Sequence, residues 1–129
     1  DSRKKEPSPR NVRSLLKTAN RYLNRGKVSK AFELFEKAAG INSGHPAPLA
    51  GMGWCTMEQG KVSQAISFFK LALTKNAAHG DSLIGLAEAF KKKGSKTQAM
   101  RYYKKYLEHH PNGPQANLAR NALEHLKGP

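Results

Sequence analysis

The sequence is poor in acid, in cysteine and in long apolar runs. Nine Asp and Glu stand against 23 Lys and Arg in 129 residues. A single cysteine, Cys55, leaves no internal disulfide to form, which excludes a disulfide scaffold and points to a reducing, cytoplasmic setting. No apolar run approaches the ~20 residues that a membrane-spanning helix needs. Eleven glycines and seven prolines follow no three-residue period, so a collagen-like chain is excluded as well. The chain opens on Asp1 with neither an initiating Met nor a hydrophobic leader, and it is expected to be a piece of a longer protein.

What is present is positive charge. The formal net charge is +14, the pI is near 10.2 and the mean hydropathy is −0.69. Such a field draws nucleic acid, anionic lipid or an acidic protein and raises encounter rates with each, but it says nothing about fold. The charge is uneven. Residues 12–45 carry seven Lys and Arg against two acids and residues 80–113 seven against three, while residues 46–79 carry three against one.

Residues 1–11, DSRKKEPSPRN, hold no large apolar side chain and read as a flexible basic linker or arm. Beyond them the sequence repeats. Gly26, Gly60 and Gly94 are 34 residues apart, and RGKVSKAFELF, QGKVSQAISFF and KGSKTQAMRYY align around them without a gap. In each, an Ala follows the Gly by five residues and an aromatic follows that Ala by four. A fixed period of this length marks stacked supersecondary units.

The period inside each unit is helical. Leu83, Leu86, Ala87 and Phe90 form one apolar face of a first helix, which Gly94 ends. Ala99, Met100, Tyr103, Tyr106 and Leu107 form the buried face of a second helix, which stops before Pro111. Ala31, Phe35, Ala38 and Ala65, Phe69, Ala72 repeat that face upstream. No window alternates as a half-buried strand does, so the fold class is all-α. Seven helices are expected near 12–24, 28–40, 46–58, 62–75, 80–92, 96–109 and 114–127. The last places Leu118, Ala119, Ala122, Leu123 and Leu126 on one face, in a phase that requires two extra residues near Gly113–Pro114.

On these residues the chain resembles the tetratricopeptide repeat family, with repeats 12–45, 46–79 and 80–113 and a capping helix over 114–128. The matching positions are Leu15, Ala19, Tyr22, Ala31, Phe35 and Ala38, then Leu49, Met52, Gly53, Ala65, Phe69 and Ala72, then Leu83, Leu86, Ala87, Phe90, Ala99, Tyr103 and Pro111. Thr56 stands where an aromatic is usual, Tyr106 where a small residue is, and Ser43 and Ala77 where a proline closes the unit. The resemblance implies an α-solenoid, a right-handed superhelix of antiparallel helix pairs, that binds a peptide or helix of a partner protein in a concave groove lined by first helices. The closing segment YLEHHPNGPQANLARNALEHL resembles those of bacterial arrays, so a module of a larger bacterial multidomain protein is expected.

By the same resemblance the groove residues are Arg13, Leu16, Asn20 and Leu23, then Ala47, Ala50, Trp54 and Met57, then Asp81, Ile84, Glu88 and Lys91. Trp54, the sole tryptophan, has two readings: a contact at the centre of the groove, or a core residue leaning into the space that Thr56 leaves empty. Some family members clamp a chaperone's C-terminal carboxylate with Lys and Asn side chains and an Arg. Only Asn20 matches that set; Leu16, Gly51, Asp81 and Gly85 occupy the other four places. Elsewhere Lys92, Lys93, Lys96, Arg101, Lys104 and Lys105 form a basic patch, read as a solvated face, a site for an acidic protein, or the basis of an alternative function as a nucleic-acid-binding α-solenoid.

No catalytic constellation is present: the carboxylates are scattered singly and no phosphate loop, HExxH or Cys–His neighbour occurs. A non-enzymatic protein without cofactor is expected. His45 and His79 hold equivalent places in successive units, which stacking sets ~10 Å apart, too far to share a zinc ion at bond lengths of ~2 Å.

Overall fold

The computed structural model describes residues 9–128, in which seven α-helices follow one another in antiparallel pairs. They are α1 (Pro9–Asn24), α2 (Val28–Ile41), α3 (Pro46–Glu58), α4 (Val62–Lys75), α5 (Gly80–Lys92), α6 (Lys96–His109) and α7 (Ala116–Lys127). Packing joins each helix to those one or two places along the chain, the one-dimensional pattern of a solenoid. First helices α1, α3 and α5 make one layer and second helices α2, α4 and α6 the other.

Two ends differ from the sequence expectation. Helix α1 starts at Pro9, so residues 9–11 of the expected arm are helical, and residues 1–8 lie outside the described residues. Proline suits a first helical turn because its missing N–H would have had no partner there. Helix α7 starts at Ala116, two residues later than expected, after a turn through Gly113 and Pro114.

The turn inside each unit is made the same way three times. Gly26, Gly60 and Gly94 have φ of 78°, 79° and 84°, the left-handed region open to glycine. The next residue then donates its N–H back to the first helix: Lys27 to Tyr22 O, Lys61 to Thr56 O, and Ser95 to Phe90 O, at 2.8–2.9 Å. This is the Schellman closure of a helix end. The turns between units use an asparagine, whose Oδ1 accepts from Gly44 N after Asn42 and from Ala78 N after Asn76.

The aromatics at the 34-residue period are the keystones of the core. Phe35, Phe69 and Tyr103 are at most 2% exposed. A β-carbon added at Gly51 would lie under 3.0 Å from the Phe35 ring, and one at Gly53 or Gly85 equally close to the Phe69 ring. The Phe35 and Phe69 rings therefore lie directly under a first-helix backbone, and glycine is what admits them.

The departures from the repeat pattern are compensated locally. Thr56 is buried, and its hydroxyl donates to the carbonyls of Met52 and Gly53 at 3.0 and 2.9 Å. Tyr106 is also buried, and its hydroxyl accepts a hydrogen bond from Gln115 N at 2.9 Å, just before α7. The two extra residues at the last junction thus make room for a ring where earlier units have Ala38 and Ala72. Among the described residues no buried side-chain nitrogen or oxygen lacks a partner.

Candidate groove on the first-helix face

Trp54 projects from the middle of α3 on the layer of first helices. Its indole is half-buried and meets Phe69 edge to face, with centroids 5.3 Å apart and planes at 72°. It lines a cavity of about 540 Å3 with Asn20, Leu23, Asn24, Gly26, Glu58, Asp81 and Gln115. The space left by Thr56 is not filled by Trp54. It survives as a separate depression of about 250 Å3 bordered by Ser29, Phe32, Thr56, Gln59, Lys61 and Gln64. Trp54 does not line that depression; its indole packs on the core at Phe69 and also lines the larger cavity, so it carries features of both readings.

The other expected groove residues divide. Asn20 and Leu23 line the cavity beside Trp54, and Arg13 and Leu16 lie further back along α1 outside it. Ala50, Met57 and Ile84 are buried at 2%, 7% and 3% exposure and belong to the core, which corrects their placement as contact residues. They sit where parallel first helices meet, and the neighbouring helix covers them. Glu88 is half-buried: Tyr103 Oη donates to its Oε2, and Lys91 Nζ lies 3.8 Å from its Oε1. That hydrogen bond and burial hold the Tyr103 hydroxyl well above its ordinary pKa, with burial the larger cause. Glu88 and Lys91 also border a second cavity of about 540 Å3 with Leu118, Asn121, Ala122, His125 and Leu126. Leu118, expected on the packed face of α7, is 42% exposed there.

Asn24, Glu58 and Gln115 escaped the sequence reading. Glu58 was open to it, because a residue four beyond Trp54 shares its helix face. Gln115 was not, since the insertion before α7 sets its position.

The carboxylate clamp is blocked by packing as well as by residue type. Any side chain at Gly51 or Gly85 would enter the rings of Phe35 or Phe69, and Asp81 brings a charge that repels a carboxylate.

The six residues of the basic patch are all exposed, in the outer layer or at its edge. Arg101, Lys104 and Lys105 share a shallow site of about 390 Å3 with Thr97, Met100 and Glu108, whereas Lys92, Lys93 and Lys96 lie at the α5–α6 turn. Phe90 and Tyr102 stack nearly parallel at 5.8 Å, with Lys70 Nζ 5.8 Å from the Phe90 centroid and Lys105 Nζ 5.7 Å from that of Tyr102. Phe90 is 6% exposed, so the pair offers no open platform for a base.

The histidines serve the turns. His45 Nδ1 accepts from Ala47 N at 3.2 Å, His79 Nδ1 pairs with Ser82 Oγ at 2.7 Å, and His110 Nε2 lies 2.5 Å from Ala78 O. Among the described residues, no three His, Cys, Asp or Glu side chains are grouped to hold a metal ion.

Cys55 is fully buried, and its thiol pKa is pushed from 9.0 up to about 11, by burial first and by the Glu58 carboxylate second. A thiol raised on folding favours the native state below pH 9, and that stabilisation is lost between about pH 9 and 11. Alkylation of Cys55 at pH 8 should therefore be slow in the native protein and fast in urea. Equal rates in both would show an accessible thiolate.

A family model described as Tetratricopeptide repeat matches residues 22–72 and 56–123, and the chain belongs to that family. No curated protein sequence matches it. Among solved structures, the Yersinia enterocolitica type III secretion chaperone SycD in complex with a peptide of the translocator YopD superposes with a TM-score of 0.82, at 20% identity over 95% of this chain and 97% of that one. PcrH from Pseudomonas aeruginosa gives a TM-score of 0.84 at 16% identity, covering 96% and 97% of the two chains. The first TPR of Spaghetti (RPAP3) bound to the HSP90 peptide SRMEEVD gives 0.79 at 20% identity, covering 94% and 97%. No helix among the described residues is long and apolar enough to cross a membrane.

Proposed function

We propose that the protein is a protein-interaction module that holds a segment of a partner protein in the first-helix groove, without catalysis of its own. The observation that carries this reading is Trp54, a half-buried indole fixed by Phe69 at the wall of a cavity of about 540 Å3. A large, rigid side chain held partly open to solvent can anchor a partner at little entropic cost. The peptide complexes of SycD and of RPAP3 are in keeping with it. The blocked clamp turns the reading away from a chaperone's C-terminal carboxylate and towards an internal segment with an apolar side chain.

A library of random peptides selected against the protein tests this proposal. Selected peptides should lose binding to a Trp54→Ala variant and retain it when Arg101, Lys104 and Lys105 are changed together to Gln. Peptides that keep their affinity for Trp54→Ala and lose it with the outer cations would refute the groove and favour the basic face.

A further inference from the structure

The groove carries the opposite charge to the chain. Of the described residues lining the Trp54 cavity, Glu58 and Asp81 are carboxylates and none is Lys or Arg, in a protein whose formal charge is +14. Both carboxylates are exposed, and neither forms an ion pair with a described residue. By contrast, the cation at the neighbouring cavity, Lys91, lies 3.8 Å from Glu88.

Range decides which charge a bound segment feels. Arg13, Lys17, Arg21, Arg25 and Lys91, on or beside the first helices, do not line the cavity, and a helix is about 10 Å across, so the cations of the outer layer lie one helix diameter or more behind it. The Debye length is about 8 Å at physiological salt, and their field is largely screened there. Glu58 and Asp81 act at contact distance, beside the low-dielectric walls of Leu23 and Trp54 that concentrate a field. The two acids also flank the indole. Glu58 is one turn beyond Trp54 on α3, and Asp81 is in the first turn of α5, which runs parallel to α3 and meets the cavity at the other end of the layer.

We infer that the groove selects a basic segment of a partner protein, with an apolar or aromatic side chain against Trp54 and Lys or Arg on either side of it. This rests on the groove being the binding surface and adds the charge of what it takes. The indole face adds an attraction for a neighbouring cation. An acidic segment would be drawn to the molecule as a whole and repelled at the site.

The test uses three six-residue peptides with Leu-Phe at the centre and two Lys, Gln or Glu on either side, titrated at about 150 mM salt. The readout is the emission of Trp54, which as the sole tryptophan reports on the groove and not on the outer face. The Lys peptide should change the emission saturably, and the Glu peptide should need roughly tenfold more, the size expected of two partly screened ion pairs. In the doubly neutralised variant E58Q/D81N, which alters only exposed side chains, that preference should collapse to about threefold or less. A Glu peptide that matches or exceeds the Lys peptide overturns the inference and leaves the groove standing. So does a Lys preference that E58Q/D81N leaves intact. If none of the three peptides moves Trp54, the groove reading fails and this inference fails with it.

Discussion

Replacing Phe69 by alanine should cost about 3–5 kcal/mol, the range for emptying a buried aromatic site. A domain of this size is stable by roughly 5–15 kcal/mol, so the variant should melt 10 °C or more below the parent or fail to fold. Phe69 is 0% exposed, supports Trp54 from below and lies against the α3 backbone at Gly53 and the α5 backbone at Gly85. It joins the second unit to the third. Leu71, two residues on and 45% exposed, is the control: Leu71→Ala should change stability by about 0.5 kcal/mol or less. The converse lesion is Gly85→Ala, whose methyl would enter the Phe69 ring and cost roughly 1–3 kcal/mol, less about 1 kcal/mol of helix propensity gained. Combining it with Phe69→Leu should recover part of the loss, because the two substitutions relieve one clash. Strict additivity in that cycle would mean that ring and backbone are not in contact.

The second large effect is on binding. Trp54→Ala should weaken a groove-bound peptide by about 2 kcal/mol or more, roughly thirtyfold. Its effect on folding should be smaller, about 1–2 kcal/mol, because the indole keeps part of its surface in water and packs on the core through its edge-to-face contact with Phe69. The two variants therefore separate roles that adjoin in space. A Trp54→Ala protein as unstable as Phe69→Ala would make Trp54 a core residue. In the native protein, acrylamide should quench Trp54 less than free indole and more than a sealed core residue.

Most of the fold was legible because its signals are local. Gly26, Gly60 and Gly94 end three helices by a property of glycine alone, and five of the seven helices start and stop within a residue of the boundaries expected from period and punctuation. The two exceptions are terminal, where no adjoining repeat fixes the boundary: α1 begins at Pro9 and α7 at Ala116. The groove was half legible. Repeat offsets identify which side of a first helix faces away from the second helices, and Asn20, Leu23 and Trp54, chosen by them, line one cavity. They do not give depth, which depends on how closely parallel helices approach, so Ala50, Met57 and Ile84 were placed on a surface that their neighbours cover. The hydrogen bond from Tyr103 to Glu88 spans 15 residues and two helices, and no local pattern announces it. Gly51 and Gly85 stood out only as missing clamp residues. Their physical role, admitting the rings of Phe35 and Phe69, required the packing itself.

Binding on the first-helix face and binding on the basic outer face leave different traces in solution. Amide and indole chemical-shift mapping with a selected peptide separates them most directly. The largest shifts should fall on Asn20, Leu23, Asn24, Trp54, Glu58 and Asp81, with Arg101, Lys104 and Lys105 nearly unmoved. Shifts concentrated on Arg101, Lys104 and Lys105, with the Trp54 indole unchanged, would contradict binding on the first-helix face.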